Sequence, residues 1–399
     1  MRKFIIIIFI LFSIHFWRYG MIPPSFHRLT DFLSISVLFF VFLKMVSREN
    51  LIFKKAIIVF LIGIFLNVLS AYLNNGQSPR DTLLSFGPYY FILFYFFLHM
   101  VGPKTEELEN IIIAFGVIYA ILYIYQSVKF PVQIFDGSMY RDRGTIRIRI
   151  EGSGFLMFAY FLLLNKYLIK RKIPHIIIAL FLFLIMIKSG FRTLILGGIL
   201  ISGMVFIRLV KYSILNYLLI VVAVIMFIGL FQLPSTSRII NNMINTSKEQ
   251  INQGDKYIRV IQYQYFSKEY PKNFSYYIIG GGLPGGYGAY TRYMGYIIQR
   301  YGFYWEDLGL IGFYFVIGLV TLVGLLWYTL KAIFTELPPD GFYLKAFFAY
   351  LLIVSFTTME IFRPGIFAVE AIGLYLIDLK LYNNNEQEIS SQNHSLNLT

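Results

Sequence analysis

Ile173 to Leu209 reads IPHIIIALFLFLIMIKSGFRTLILGGILISGMVFIRL. Two apolar runs, 173–188 and 191–210, are joined only by KSGFRT, and neither carries the polar face of a soluble amphipathic helix. A hydrocarbon core of about 30 Å is crossed by roughly 20 helical residues. Inside lipid every backbone N–H and C=O must be satisfied within its own segment, so such runs are helices and this pair is a tight hairpin. Strand-length alternation, the mark of a membrane barrel, is not visible.

Outward from this hairpin the same pattern recurs. Further apolar runs lie at 4–20, 29–46, 55–73, 82–101, 110–130, 152–169, 213–233, 308–331, 342–360 and 364–380. The 399 residues are 57% hydrophobic and only 14% charged, with a mean hydropathy of +0.65. A soluble domain would carry about a quarter charged residues. The expected fold is an all-α polytopic integral membrane protein of about twelve transmembrane helices, with one long, partly helical extracytoplasmic loop. Residues 1–233 form the first nine helices, with an outer basic loop at 129–151. The long loop is 234–307, the last three helices fill 308–382, and 383–399 is a polar tail expected to be disordered. MRKFIIIIFILFSIHF at the N-terminus resembles a signal peptide, but no small-residue cleavage site follows, so an uncleaved first helix is expected. The chain has no cysteine, which excludes disulfides and thiolate chemistry. Its five histidines lack metal-ligand spacing, and no metal site, cofactor or nucleic-acid partner is expected.

Short loops on one side carry Lys44, Arg48, Lys54, Lys55, Lys104, Lys166, Lys170, Arg171, Lys172, Arg208, Lys211, Lys331 and Lys345. The positive-inside rule makes that side cytoplasmic, with both termini there and 234–307 outside. Against the rule, the outer 129–149 segment holds Lys129, Arg141, Arg143, Arg147 and Arg149. The long loop adds Arg238, Lys248, Lys256, Arg259, Lys268, Lys272, Arg292 and Arg300. Long loops are partly exempt from the rule; the short segment is not. An anionic ligand at that surface, or anionic outer-leaflet headgroups, would account for the cations.

Ionisable groups at membrane depth face a cavity or a partner, or snorkel to the interface. Lys188 and Arg192 flank the outer turn of the opening hairpin, where an arginine can clamp a phosphate bidentately. Glu151 is expected to pair with Arg149 or Arg147, Glu360 with Arg363 across the last outer hairpin, and Glu370 to face the bundle interior. In YIRVIQYQYFSKEYPKNFSYY the aromatics interleave with Arg259, Lys268 and Lys272. They suit either the core of a small external domain or a surface against which sugar rings stack. GGGLPGGYGAYTRYMGYIIQRYGFYWEDLGLIG, Gly280 to Gly312, then re-enters the apolar register through Trp305, Glu306 and Asp307.

The order of these features resembles the O-antigen ligase and polymerase superfamily, the Wzy-type polymerases included. An outer arginine segment leads into a span opened by small residues, RDRGTIRIRIEGSGFLMFAYFLLL. IKSGFRTLILGGIL is similar to the family's Ser-Arg span opening, although Gly190 and Phe191 separate Ser189 from Arg192. RVIQYQYFSKEYPKNFSYYIIGGGLPGG matches a long outer loop with an arginine, a proline and a Gly-rich turn. LGLIGFYF supplies a G-x-x-G span start at Gly309 and Gly312. The resemblance covers residues 140–330. The ligase branch carries a histidine where this chain has GFYWEDLGLIG, which favours the polymerase branch.

The resemblance implies polyprenyl-pyrophosphate-linked oligosaccharides as substrates, held by their lipid in a bacterial inner membrane with sugars outside. The reaction would transfer a growing glycan to the non-reducing sugar of a new lipid-linked unit, building O-antigen, capsule or exopolysaccharide, with a chain-length regulator as a possible partner. Arg141, Arg143, Arg192 and Arg259 would ring the pyrophosphate leaving group. Glu306 or Asp307 would deprotonate the acceptor hydroxyl, and Gly280, Gly282 and Gly285 would be the loop's hinge. A ligase moving polymer to lipid A-core, and a flippase for lipid-linked sugars, are the competing readings. A flippase would line a path within the helices and show internal repeats, and none is visible. A metal-dependent glycosyltransferase would need an acidic motif, and the first outer loop offers only Asp31.

Overall fold

A computed structural model of the chain describes residues 2–16, 24–135, 138–142, 145–209 and 234–396. It is predominantly α-helical, as the composition predicts. The first part contains α1 (Arg2–Ser13), α2 (Pro24–Met45), α3 (Lys54–Asn75), α4 (Pro79–Ser85), a 3-10 segment at Gly87–Leu93, α5 (Phe94–Val101) and α6 (Thr105–Lys129). A two-stranded antiparallel ribbon follows, β1 (Ser138–Asp142) with β2 (Thr145–Arg149), registered from Ser138 opposite Arg149 to Asp142 opposite Thr145. Then come α7 (Ser153–Lys170), α8 (Ile173–Lys188) and α9 (Arg192–Leu209). The expected run at 213–233 lies outside the described residues. The remainder holds α10 (Pro234–Gln253), α11 (Ile258–Gln264), α12 (Ser275–Ile279), α13 (Ala289–Tyr301), α14 (Leu310–Ile317), α15 (Leu319–Phe334), α16 (Phe342–Ser355) and α17 (Ile366–Leu396). The last helix takes in 383–396, where composition predicts disorder; a helix already nucleated by its apolar half propagates at little cost per residue.

By length and composition, three helices among the described residues are able to cross a bilayer: α3, α6 and α9. A fourth crossing arises if α4 and Gly87–Val101 are taken together across a 61° bend. Two expected spans are broken for local reasons. In 82–101, Pro88 removes a backbone donor and a 3-10 segment replaces the α-helix. In 308–331, Gly318 (φ +97°) separates α14 from α15.

The centre of the bundle is α17, whose Phe367, Ala368, Val369, Ala371, Ile372 and Leu374 are all fully buried. It packs on the 3-10 segment, α5 and α7. A helix apolar on every side belongs in such a position. α3 and α15 approach closely because a Cβ on Gly63 would lie 2.5 Å from the backbone N of Thr321, a small-residue contact of the kind that holds membrane helices together. Buried carboxylates find donors. Glu370 accepts from the Tyr328 hydroxyl at 2.7 Å; Glu109 accepts from Tyr343 at 2.8 Å and pairs with Lys166 at 2.8 Å.

Candidate functional site

The basic segment between α6 and α7 is built as the ribbon, and it sits on the turn between α8 and α9. The Arg147 guanidinium lies 4.9 Å from the centre of the Phe191 ring and donates to the Gly190 carbonyl at 3.4 Å. Arg141 stands in β1 opposite Ile146, while Arg143 lies outside the described residues. Arg192 opens α9 and donates to Ser247 Oγ and, at 3.0 Å, to Gln250 Oε1 of α10. The hairpin, the ribbon and the first helix of the long loop are thus tied together at one end of the bundle.

Beneath the ribbon a small cavity of about 30 Å³ is lined by Tyr119, Tyr123, Ser153, Ser189, Glu360 and Arg363, among others. It has room for about a water molecule with polar partners on several sides. The expected Glu360–Arg363 pair is present at 3.6 Å. Arg363 also donates to Ser153 Oγ at 3.2 Å, which fastens the hairpin between α16 and α17 to the N-terminus of α7. Close by, His15 Nε2 lies 3.5 Å from Asp31 and its Nδ1 lies 4.0 Å from Glu151. His15 is a partner for Glu151 that charge spacing in 141–151 did not offer. It adopts a left-handed backbone (φ +49°), which is uncommon outside glycine. The available signal was an ionisable residue inside an apolar run.

The Gly280–Gly286 turn corrects an expectation. Gly281 and Gly282 donate their N–H groups to the Phe315 and Val316 carbonyls at 3.1 and 2.9 Å. The Asn67 side-chain amide donates to Ile279, Val316 and Ile317 carbonyls at 2.8, 2.9 and 3.1 Å, and its Oδ1 accepts from Leu283 N–H at 3.0 Å. Gly285 N–H donates to Gln77 at 3.1 Å. A Cβ at Gly280 would lie 2.5 Å from the Val316 oxygen, one at Gly282 would meet Ala71, and one at Gly285 would collide with Ser85. Gly280, Gly282 and Gly285 are therefore a clamped turn that fills the helix break at Gly318, the opposite of a free hinge.

Glu306 and Asp307 lie half-buried in a 3-10 turn, Trp305–Leu308, that leads into α14. The Trp305 ring stacks on Phe362 with centroids 5.9 Å apart. α11, which carries Arg259, packs directly on this turn, and its Gln262 donates to the Gly302 carbonyl at 2.9 Å. The candidates so fall into two groups. The ribbon and the Arg192 hairpin make one; the Arg259 helix and the Glu306–Asp307 turn make the other. Within the loop, tyrosines pair through their hydroxyls, Tyr265 with Tyr293 and Tyr270 with Tyr290, each at 2.6 Å. Burial pushes the Tyr270 and Tyr290 hydroxyls above their ordinary range, which keeps them neutral donors.

No family model matches the chain, and no curated protein matches it.

Proposed function

We propose that the protein is a multi-pass membrane glycosyltransferase that polymerises polyprenyl-pyrophosphate-linked oligosaccharides at the outer face of a bacterial inner membrane, with about twelve spans. The observation that supports this reading is the packing of the Arg259 helix on the turn bearing Glu306 and Asp307. A cation for the leaving pyrophosphate and a carboxylate for the acceptor hydroxyl then stand on adjoining elements. Arg192, in the ribbon group, is the second cation that this reading assigns to the pyrophosphate. The acceptor proton passes to Glu306 or Asp307 as the acceptor oxygen attacks the anomeric carbon, and polyprenyl pyrophosphate departs.

The test is reconstitution in liposomes with a lipid-linked repeat unit, followed by gel separation of the glycans. A ladder of lipid-linked oligomers that persists in a metal chelator is the expected result. Arg192→Ala should cost about a hundredfold to a thousandfold in polymer formation, the range for losing one donor to developing charge. Full activity in both Glu306→Gln and Asp307→Asn removes the assigned base. The second reading, a transporter, gains from the break at Gly318, since interrupted spans mark many substrate paths. Movement of the repeat unit across the bilayer without a ladder decides for it.

A further inference from the structure

A second pocket opens at the other end of the bundle. α6 spans 25 residues, about 37 Å of helix, and separates its N-terminal end from the ribbon. The pocket lies near that N-terminal end, between the loop after α2, the end of α5 and the middle of α17. It measures about 540 Å³, within the range of small-ligand sites. Arg48 and Glu49 stand exposed at its mouth, and Leu51 and Leu379 supply apolar wall.

Its floor is polar and buried. Asp378 is only 7% exposed. Its Oδ2 accepts from the Tyr95 hydroxyl and from Ile52 N–H at 3.4 Å. Its Oδ1 has no hydrogen-bond partner, and neither has His99 Nε2, although His99 lies 3.2 Å from Asp378 Oδ2. A buried acceptor left unmatched is costly, and a donor arriving from the pocket would relieve it. A ligand that meets Asp378 and Glu49 as well as Arg48 must bear a cationic donor and an anion together. The surface beside the mouth is built for acyl chains: α2 ends at Met45, just before Arg48, and exposes Phe40 (71%) and Leu43 (56%).

We propose that this pocket binds the headgroup of an aminophospholipid, its phosphate at Arg48 and its primary ammonium at Asp378 and Glu49. The site is independent of the polymerase reading and uses none of its residues. Phosphatidylethanolamine satisfies both groups. Phosphatidylcholine has the charges but no ammonium N–H, and phosphatidylglycerol has the phosphate but no amine.

The full-length protein, purified in mild detergent, would be titrated with each of these three lipids and bound lipid counted by native mass spectrometry. Retention of one phosphatidylethanolamine, about tenfold preferred over the other two, is the expected result. Arg48→Gln, at the exposed mouth, should leave the fold intact and lower that retention about tenfold. Asp378→Asn should abolish the preference over phosphatidylcholine. Equal retention of the three lipids by the wild type, or unchanged retention in Arg48→Gln, overturns the proposal. Displacement of the lipid by free phosphoethanolamine at matching concentration would make the ligand a soluble zwitterion and overturn the lipid assignment.

Discussion

Asn67 holds more of the long loop than any arginine does. Fully buried on α3, it spends both amide atoms on backbone groups of the glycine turn and of the broken helix. Asn67→Leu would leave the buried Leu283 N–H without its acceptor, at about 1–3 kcal/mol, and take a donor from the Ile279 carbonyl, while Val316 and Ile317 keep the donors Gly282 and Thr321. A marked fall in melting temperature and new protease cleavage within 258–301 are expected. Gly280→Ala should act in the same direction, because its φ of +76° and the Val316 oxygen both refuse a side chain. Neither effect was legible in the sequence. The glycines advertised conformational freedom, and nothing in IGIFLNVLSAYLNN marks Asn67 as the residue that removes it. The Glu360–Arg363 pair, by contrast, was legible, since two opposite charges three residues apart at a membrane surface have few other partners.

At the scale of elements, hydropathy found the helical runs and missed their interruptions. A run of apolar residues reads the same whether or not Pro88 or Gly318 breaks it, because the break lies in one residue's backbone and its cost is met by distant groups. The ribbon did carry its own signature: TIRIRI alternates isoleucine and arginine with the period of a strand, and Ile148 and Ile150 are buried. The tyrosine pairs of the loop give a pH test. Tyr270 and Tyr290 have raised folded values, so their contribution to stability is full below the unfolded tyrosine value of about 10 and is lost as pH rises beyond it. Limited proteolysis should therefore show the loop opening above pH 10, and Tyr290→Phe, which removes the bond to Gly282 at 2.7 Å, should open it at lower pH.

For the whole molecule, the chain carries a net charge of +14, and the two ends of its apolar bundle differ in kind. One has a ribbon, a hairpin and a folded loop locked together; the other has short loops and a zwitterionic pocket. Because the chain has no cysteine, single substitutions report sidedness directly. Tyr140→Cys in the ribbon and Lys170→Cys at the end of α7 should react with a membrane-impermeant maleimide from opposite faces of the bilayer. Labelling of both from one face would contradict the inside-positive orientation. The turn sealed into the break at Gly318 bears also on how such a protein can be altered. Residues 234–307 look like an interchangeable cassette, and under the proposed glycosyltransferase reading they would be the natural unit for swapping acceptor preference. A graft of that cassette alone would arrive with a plug and find no matching socket. A folded chimera has to carry α3, α14 and α15 from the same parent, so the smallest unit that can be exchanged intact includes part of the apolar bundle.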